Sequence, residues 1–363
     1  MRISQHVLKK RRTINDHSLS IGHKNIIAIM STAQVIPSYR WANDFVNKVS
    51  KNDNGTELSE FAERVAKSEL REDKQTREQM LDAFRDWIAK NPDIKNINTD
   101  SNFLLRFLRV KKFSLPMAQD MLLKYLNLRQ TFRPYFYNLD YLSPSINQLI
   151  DEGYLFASPN RDKLGRRVIF GHAANLDPYK HSNVDFAKIH ILTYEALLCD
   201  EVTQVTGVVH FGNCLGVSPA VITYFSPKEF YTLLRWGEQS VPMRHKEFHF
   251  INVPTPLKYI YEFFQSTFSE KIRSRFMMHH SLNDIVDHMD IDTLPKEYGG
   301  TIPMADMIEM WKSELLQKRE RLLSLDKMVL LNNDCVTKKK YSKSAKAQAM
   351  THVTGSFRKL NID

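Results

Sequence analysis

The chain has 363 residues and a formal net charge of +10 at pH 7, which allows one large domain or two smaller ones with an ample core. Its three cysteines are widely spaced and form no Cys-x-x-Cys pair, which argues against a disulfide framework or a zinc site and favours a reducing compartment. No apolar run approaches the roughly 18 residues of a membrane span. We therefore expect a soluble intracellular protein whose charge suits nucleic acid or an anionic membrane surface.

The two ends of the chain are predicted to be a basic, disordered extension and a lysine-rich tail. Residues 1–57 begin with a nearly acid-free stretch that contains the basic cluster 9–12 (KKRR). Such a cluster is typical of a nuclear or mitochondrial targeting signal, or of a disordered stretch upstream of a second start at Met30. Residues 326–363 form a lysine-rich polar tail. Residues 30–60 are polar and low in periodicity, which predicts a linker.

Helical periodicity marks residues 58–135. Apolar residues three and four positions apart predict four helices, which begin near residues 58, 76, 101 and 114. Asp100 or Ser101 is suited to cap the third helix, and Ser114 with Pro116 to begin the fourth. This segment is predicted to be a small, all-helical N-terminal domain.

The pattern changes over residues 136–325 to short apolar runs separated by helical segments. Residues 167–172 (RVIFGH), 207–213 (GVVHFGN) and 248–252 (FHFIN) have the length and composition of buried strands. Strands that are nearly continuous in apolar residues and alternate with helices indicate an α/β domain with a mostly parallel sheet.

A helix with an unusual composition is predicted directly after the third strand. Thr255 is suited to be its N-cap and Pro256 its first residue. Its apolar side chains form one stripe at helical spacing, and a cationic segment follows. The combination is typical of a lid over an apolar cavity that touches an anionic surface, or of an ordinary core helix with a solvated basic end. The stripe contains Leu257, Ile260, Tyr261, Phe264 and Phe268, and the cationic segment contains Lys271, Arg273 and Arg275.

Catalytic, metal-binding and nucleic-acid patterns are weak. Residues 216–220 (GVSPA) half-resemble a nucleophile elbow, but the last glycine is missing and Pro219 has no N–H for an oxyanion hole. His245 and His249 flank Glu247, yet residues four apart in a strand are separated by about 13 Å, too far for one metal ion. No zinc-finger, helix-turn-helix or aromatic RNA-binding pattern is present. We expect no enzyme activity, no metal, no cofactor and no nucleic-acid partner.

Three separated motifs resemble the CRAL-TRIO lipid-binding family and occur in the family's order. They are residues 103–109 (FLLRFLR), 248–252 (FHFIN) and 294–300 (LPKEYGG), and the resemblance extends over about residues 60–320. It implies a helical domain followed by an α/β domain whose sheet floors a deep apolar pocket. A mobile gate helix covers that pocket in the family, and here it corresponds to the striped helix from residue 255 to about 268.

The resemblance also implies two sites. In one family member a basic cleft binds phosphatidylinositol bisphosphate and triggers release of the ligand, and the matching positions keep a positive charge here. Strand alternation places Val208, His210 and Gly212 on one sheet face, which the resemblance makes part of the pocket. The implied phosphoinositide site contains Arg109, Arg244, Lys271, Arg273 and Arg275. The implied lipid pocket contains Tyr154, Phe170, Phe186, His190, Tyr194, Val208, His210, Leu233, Val241, Phe248 and Phe250.

The resemblance thus implies a carrier that binds one hydrophobic molecule of the tocopherol, retinoid or phospholipid class and exchanges it at phosphoinositide-bearing membranes. The expected form is a cytoplasmic monomer, transiently on endosomal or other such membranes. Gly171 and Gly212 align with aromatic residues of a family member, and His190 and His210 with small ones, so the pocket should differ in shape and polarity. Two alternatives stay open: a phosphoinositide-reading endosomal scaffold without transfer, and a nuclear nucleic-acid binder suggested by the basic cluster 9–12.

Overall fold

A computed structural model describes the structure of residues 60–265 and 268–337. The predicted N-terminal extension and residues 338–363 of the predicted tail lie outside this part of the chain. So do the side chains of a few residues within helices, among them Ile260 and Phe264. Within the described part, no helix is both long and apolar enough to cross a membrane.

A helical region precedes the sheet, as the periodicity predicted. Asp100, and not Ser101, caps one of its helices, because the Asp100 carboxylate accepts a hydrogen bond from the backbone N–H of Phe103 at 2.8 Å. Two shorter helices after Thr131 were not predicted. The helices are α1 (Glu60–Val65), which continues into a π-helical turn (Ala66–Leu70), α2 (Lys74–Lys90), α3 (Ser101–Val110), α4 (Leu115–Thr131), α5 (Arg133–Phe136) and α6 (Pro144–Asp151).

The main sheet has five strands among the described residues and is mostly parallel, which confirms the predicted fold class. Its strand order is β2-β3-β4-β5-β6; β2 runs antiparallel to β3 and the other neighbours are parallel. A two-stranded antiparallel ribbon, β1 with β7, joins the helical region to the end of the described chain. The strands are β1 (Ile94–Lys95), β2 (Leu155–Arg161), β3 (Arg167–His172), β4 (Val208–Asn213), β5 (His245–Ile251), β6 (Phe276–His279) and β7 (Val329–Leu330).

Further helices connect and flank these strands. The longest of them packs against β2 and buries Trp311 and Leu315; it was not predicted. The helices are α7 (Asn183–Leu197), α8 (Glu201–Thr206), α9 (Pro227–Ser240), α10 (Thr255–Phe264), α11 (Glu270–Arg273), α12 (Leu282–Val286), α13 (Met304–Ser324) and α14 (Asp334–Thr337).

The strand register gives the sheet two chemically different faces. Ile169, His210, Phe248 and Phe276 are neighbours across β3, β4, β5 and β6, and because side chains alternate along a strand they share one face. We call this the His210 face. The next row, which we call the Phe211 face, points the other way and consists of Phe170, Phe211, His249 and Met277.

One buried cluster extends through both the helical region and the α/β region. It includes Phe103 and Tyr125 of the helices as well as Phe170 and Phe211 of the sheet. A shared core of this kind makes the stability of the two regions interdependent. The predicted domain boundary near residue 135 stays a prediction.

Candidate lipid and anion sites

Aromatic rings cover the His210 face in a continuous series of contacts. His210 stacks on Phe248 and Phe248 stacks on Phe276, with ring centroids 4.5 Å apart in both pairs. In the other direction Tyr194 lies 5.8 Å from His210 and 6.5 Å from His190. The series then continues from His190 to Phe186 and Tyr154.

These rings retain accessible surface although they are strongly desolvated. Tyr194, His190 and His210 are only partly buried. Burial nevertheless raises the pKa of Tyr194 and lowers the pKa of His190 and of His210, because a low-dielectric environment disfavours the charged form. The pKa of His245 falls to about 4 for the same reason, with a smaller effect from the charge of Arg275. These side chains therefore combine accessible surface with a desolvated environment.

Most predicted pocket residues belong to this face or its border. Phe250 follows Phe248 on the same face and lies 5.9 Å from the ring of Phe276. Val208, two residues before His210 in β4, lies on the same face and is fully buried. Leu233 and Val241, on and just after α9, are partly buried.

Phe170 is an exception, and its prediction as a pocket residue is wrong. It pairs with Phe211 in the sheet and is 0% exposed. Its ring lies 5.4 Å from Phe156 and 5.2 Å from Phe211. Phe170 therefore belongs to the packed Phe211 face and cannot contact a ligand on the His210 face.

His245 and Phe276 complete the aromatic face and were missed in the sequence. His245 is three residues before Phe248, so simple alternation places the two side chains on opposite faces. The register between β4 and β5 shifts, however, so that Val208 pairs with His245 while Val209 pairs with Glu247. This bulge adds one residue and turns His245 to the His210 face. No signal in the sequence marks the bulge.

The space that Gly212 leaves above the sheet is occupied. A Cβ atom at this position would lie 2.5 Å from the ring of Phe250. The Phe250 ring therefore lies over the glycine backbone and fills the room that an aromatic residue takes at this position in a relative. The glycine changes the shape of the predicted pocket without simply enlarging it.

The predicted gate helix, α10, contacts the edge of the His210 face. The ring of Tyr261 lies 5.2 Å from Phe276, and Phe268, just beyond the helix, lies 5.4 Å from the same ring. Leu257 is partly buried, whereas Tyr259 on the opposite side is 66% exposed. The helix begins with Pro254 in the N-cap position, one residue before the predicted cap, and ends at Phe264.

Cationic side chains from three parts of the chain converge beside this helix. Burial lowers the pKa of Lys271, and the nearby charges of Arg275, Arg244, Lys112 and Lys246 lower it further. We call these five residues the cationic cluster. The structure thus brings together three of the predicted phosphoinositide-site residues, and it adds Lys112 and Lys246, which sequence reasoning missed.

The cationic cluster is only partly neutralised. Glu69 of the π-helical turn accepts hydrogen bonds from Arg244 and, at 2.9 Å, from Lys246, and these partners lower the pKa of Glu69 against the effect of burial. Within the described residues, Lys271 and Lys112 have no acidic partner within salt-bridge distance. An arriving anion would relieve the mutual repulsion of these cations.

Arg109 lies beneath the cluster and not on its surface. It is 0% exposed, and its guanidinium donates to Glu72 at 2.8 and 2.9 Å, to Glu201 at 2.9 Å and to Gln204 at 2.8 Å. Direct contact between Arg109 and a membrane head group would require this network to open. The prediction that Arg109 binds the head group directly is therefore corrected: Arg109 supports the cluster from below. It lies close to Arg244, whose pKa is lowered mainly by burial and further by the charge of Arg109.

Arg273 is exposed at the end of α11 and lies towards the gate helix. Burial raises the pKa of Tyr261, and the charge of Arg273 opposes that rise. Arg273 is thus close to Tyr261.

Known proteins match both regions of the chain. A family model described as CRAL/TRIO domain matches residues 151–300, and one described as Pinta-like, UBA domain matches residues 73–146. Clavesin-1 of Xenopus laevis is 32% identical over 249 residues, which cover 68% of this chain and 75% of that protein. Clavesin-2 of Homo sapiens is 30% identical over 252 residues, which cover 69% of this chain and 77% of that protein. The crystal structure of Sfh5 has a TM-score of 0.48 at 15% identity and covers 69% of this chain and 99% of that chain.

A mostly parallel sheet with an aromatic face, preceded by a helical region, defines the class as a mixed α/β protein with a helical N-terminal region. The chain belongs to the CRAL-TRIO family of lipid-binding proteins.

Proposed function

We propose that the protein binds one hydrophobic molecule on the His210 face and exchanges it at phosphoinositide-bearing membranes. The observation that carries the proposal is the position of a partly neutralised cationic cluster next to an enclosed aromatic face. The family supports the hydrophobic ligand, and the cluster supports the anionic membrane surface. In this proposal the protein is a cytoplasmic monomer that visits endosomal or similar membranes.

Arg275 connects the two sites. Its guanidinium donates a hydrogen bond to the backbone carbonyl of His245, a residue whose side chain lies on the His210 face. The same strand, β5, also carries Lys246 of the cationic cluster. A phosphate that binds Arg275 competes with this carbonyl, so head-group binding acts on the strand that lines the ligand site and favours release.

The magnitudes favour a specific head group over general attraction. Five cations at about 1 kcal/mol each near an anionic surface contribute roughly 5 kcal/mol, which alone corresponds to a dissociation constant of roughly 0.2 mM. Arginine side chains add affinity when they bind a phosphate group bidentately. A phosphoinositide therefore fits better than a lipid with a single buried phosphodiester.

Lys271→Ala tests the head-group site. We expect binding to vesicles that contain phosphatidylinositol bisphosphate to weaken about tenfold, because a charge-assisted contact of at least ~1.4 kcal/mol is lost. Binding to phosphatidylserine vesicles of equal total charge should weaken much less. Vesicle co-sedimentation at matched ionic strength measures both affinities.

Glu69→Gln is the matched control, and it should change the affinity for the vesicles in the opposite direction. It removes the carboxylate that competes for Arg244 and Lys246, so binding to the same phosphoinositide vesicles should become tighter. Equal losses on both vesicle types in Lys271→Ala, with no gain in Glu69→Gln, would indicate a diffuse basic surface and overturn the head-group site.

Tyr261→Ala tests the gate. Loss of the contact with Phe276 should remove about 1–2 kcal/mol from the closed form, so a bound fluorescent lipid should leave the protein roughly tenfold faster in the absence of membranes. Tyr259→Ala, on the exposed side of the same helix, should leave the rate unchanged. If both variants release the lipid at the wild-type rate, α10 is not the gate.

A further inference from the structure

The aromatic His210 face contains a cluster of polar atoms. Nε2 of His210 and Nδ1 of His245 form a hydrogen bond of 2.9 Å. Nδ1 of His190 lies 2.9 Å from the backbone carbonyl of Phe186. The ring of Tyr194 contacts all three imidazoles, with centroids 6.5 Å from His190, 5.8 Å from His210 and 5.3 Å from His245.

The protonation of these imidazoles follows from their partners. A carbonyl oxygen only accepts hydrogen bonds, so Nδ1 of His190 carries a proton and its Nε2, in the neutral ring, is a bare acceptor. A single proton lies between His210 and His245. Whichever ring donates it, the two outer nitrogens of the neutral pair are one N–H donor and one bare acceptor. Desolvation lowers the pKa of all three histidines and keeps them neutral at pH 7.

This hydrogen-bonding capacity is unused within the described part of the chain. Among the side chains that the structure describes, no hydrogen-bond partner is found for the outer nitrogens of His210 and His245, for Nε2 of His190 or for the hydroxyl of Tyr194. His190, Tyr194, His210 and His245 are also only partly buried, so their side chains retain accessible surface. They are accessible to a molecule that lies on the His210 face.

We infer that the ligand is a neutral, largely apolar molecule that ends in a hydroxyl group, and that His190, Tyr194 and one end of the His210–His245 pair hold this hydroxyl. The inference rests on the proposed lipid-binding function and names its ligand class. A hydroxyl both donates and accepts, which satisfies a bare nitrogen and an N–H together. A hydrocarbon end leaves these polar atoms desolvated and unpaired. A carboxylate cannot donate to the bare nitrogens and must give up its hydration in a neutral site.

Four compounds with one carbon skeleton test this inference on the delipidated full-length protein. They are 4-dodecylphenol, its methyl ether, dodecylbenzene and 4-dodecylbenzoate. The affinity of each compound is measured by its displacement of a fluorescent lipid probe. We expect the phenol to bind about tenfold more tightly than each of the other three, because each of them loses at least one hydrogen bond. The double variant His210→Phe/His245→Phe should reduce this preference to about threefold or less, because only the hydrogen bonds to His190 and Tyr194 remain.

The chain contains a matched control for the double variant. His249 and His279 form a second hydrogen-bonded imidazole pair, with the same nitrogen–nitrogen distance of 2.9 Å. This pair lies on the Phe211 face. His249→Phe/His279→Phe should keep the preference for the phenol. Equal affinities of the wild-type protein for all four compounds, or tightest binding of the benzoate, overturn the hydroxyl inference while the lipid-binding proposal stands. If none of the four binds and organic extraction yields no lipid, both are overturned.

Discussion

Arg109→Ala should lower the free energy of unfolding by about 3 kcal/mol or more, because removing one partner from a buried ion network leaves the other charge without compensation. The Glu72 side chain is only 4% exposed. After the substitution, the nearest remaining cation to Glu72 among the described residues is Arg77, whose Nη1 lies 3.8 Å from Oε1 of Glu72. The urea midpoint should fall at an unchanged m-value, which separates lost stability from a change in compactness.

Arg273→Ala is the control for this prediction. Arg273 is exposed, so its loss should change the unfolding free energy by no more than about 0.5 kcal/mol. An unchanged midpoint in Arg109→Ala would show that Glu72 does not depend on this arginine and would restore Arg109 as a candidate for direct head-group contact. Vesicle binding by Arg109→Ala is informative only in conditions where the variant is folded.

Acidification from pH 7 to pH 5 should destabilise the protein by about 2 kcal/mol through His245 alone. Burial lowers the pKa of His245 from 6.5 to about 4 in the folded state. Between these values the unfolded chain binds more protons than the folded protein, so stability is complete above about pH 6.5 and is lost as the pH falls towards 4. The pKa values of His172, His190 and His210 are lowered in the same direction, again mainly by burial.

The carboxylate of Glu247 contributes little to this pH window. The pKa of Glu247 is lowered to about 2, first by its hydrogen bond with His249, so its stabilising effect is lost only below about pH 4.5. Urea unfolding at intervals from pH 7 to pH 5 measures the slope, which should be shallower in His245→Phe and unchanged in His280→Asn, an exposed histidine. A flat profile in the wild-type protein would mean that these histidines are solvated, and the enclosed ligand site would then lose its support.

Local sequence patterns determined the elements whose apolar spacing is regular. The helices α2, α3 and α4 and the strands β3, β4 and β5 were found within about three residues of their bounds, because periodicity reports directly which side chains share a face. Two strands of the main sheet escaped detection, one because of its composition and the other because it is short. β2 contains Ser158, Pro159 and Asn160, which indicate a turn, and β6 is four residues long and follows a cationic helix end.

Tertiary structure decided which of these faces and charges meet. Phe170 and Phe248 look equally apolar in the sequence, and only the register between strands separates their faces. The bulge in β5 turns His245 towards His210, and no local pattern predicts a bulge of one residue. Arg109 is buried because it pairs with Glu72 and Glu201, which lie 37 and 92 residues away in the sequence. The sequence by itself determined that the chain is a CRAL-TRIO protein with an apolar sheet face and a surplus of cations. Whether a given cation faces solvent or a buried carboxylate was decided by the packing, since charge is a property of the residue and its partner is a property of the fold.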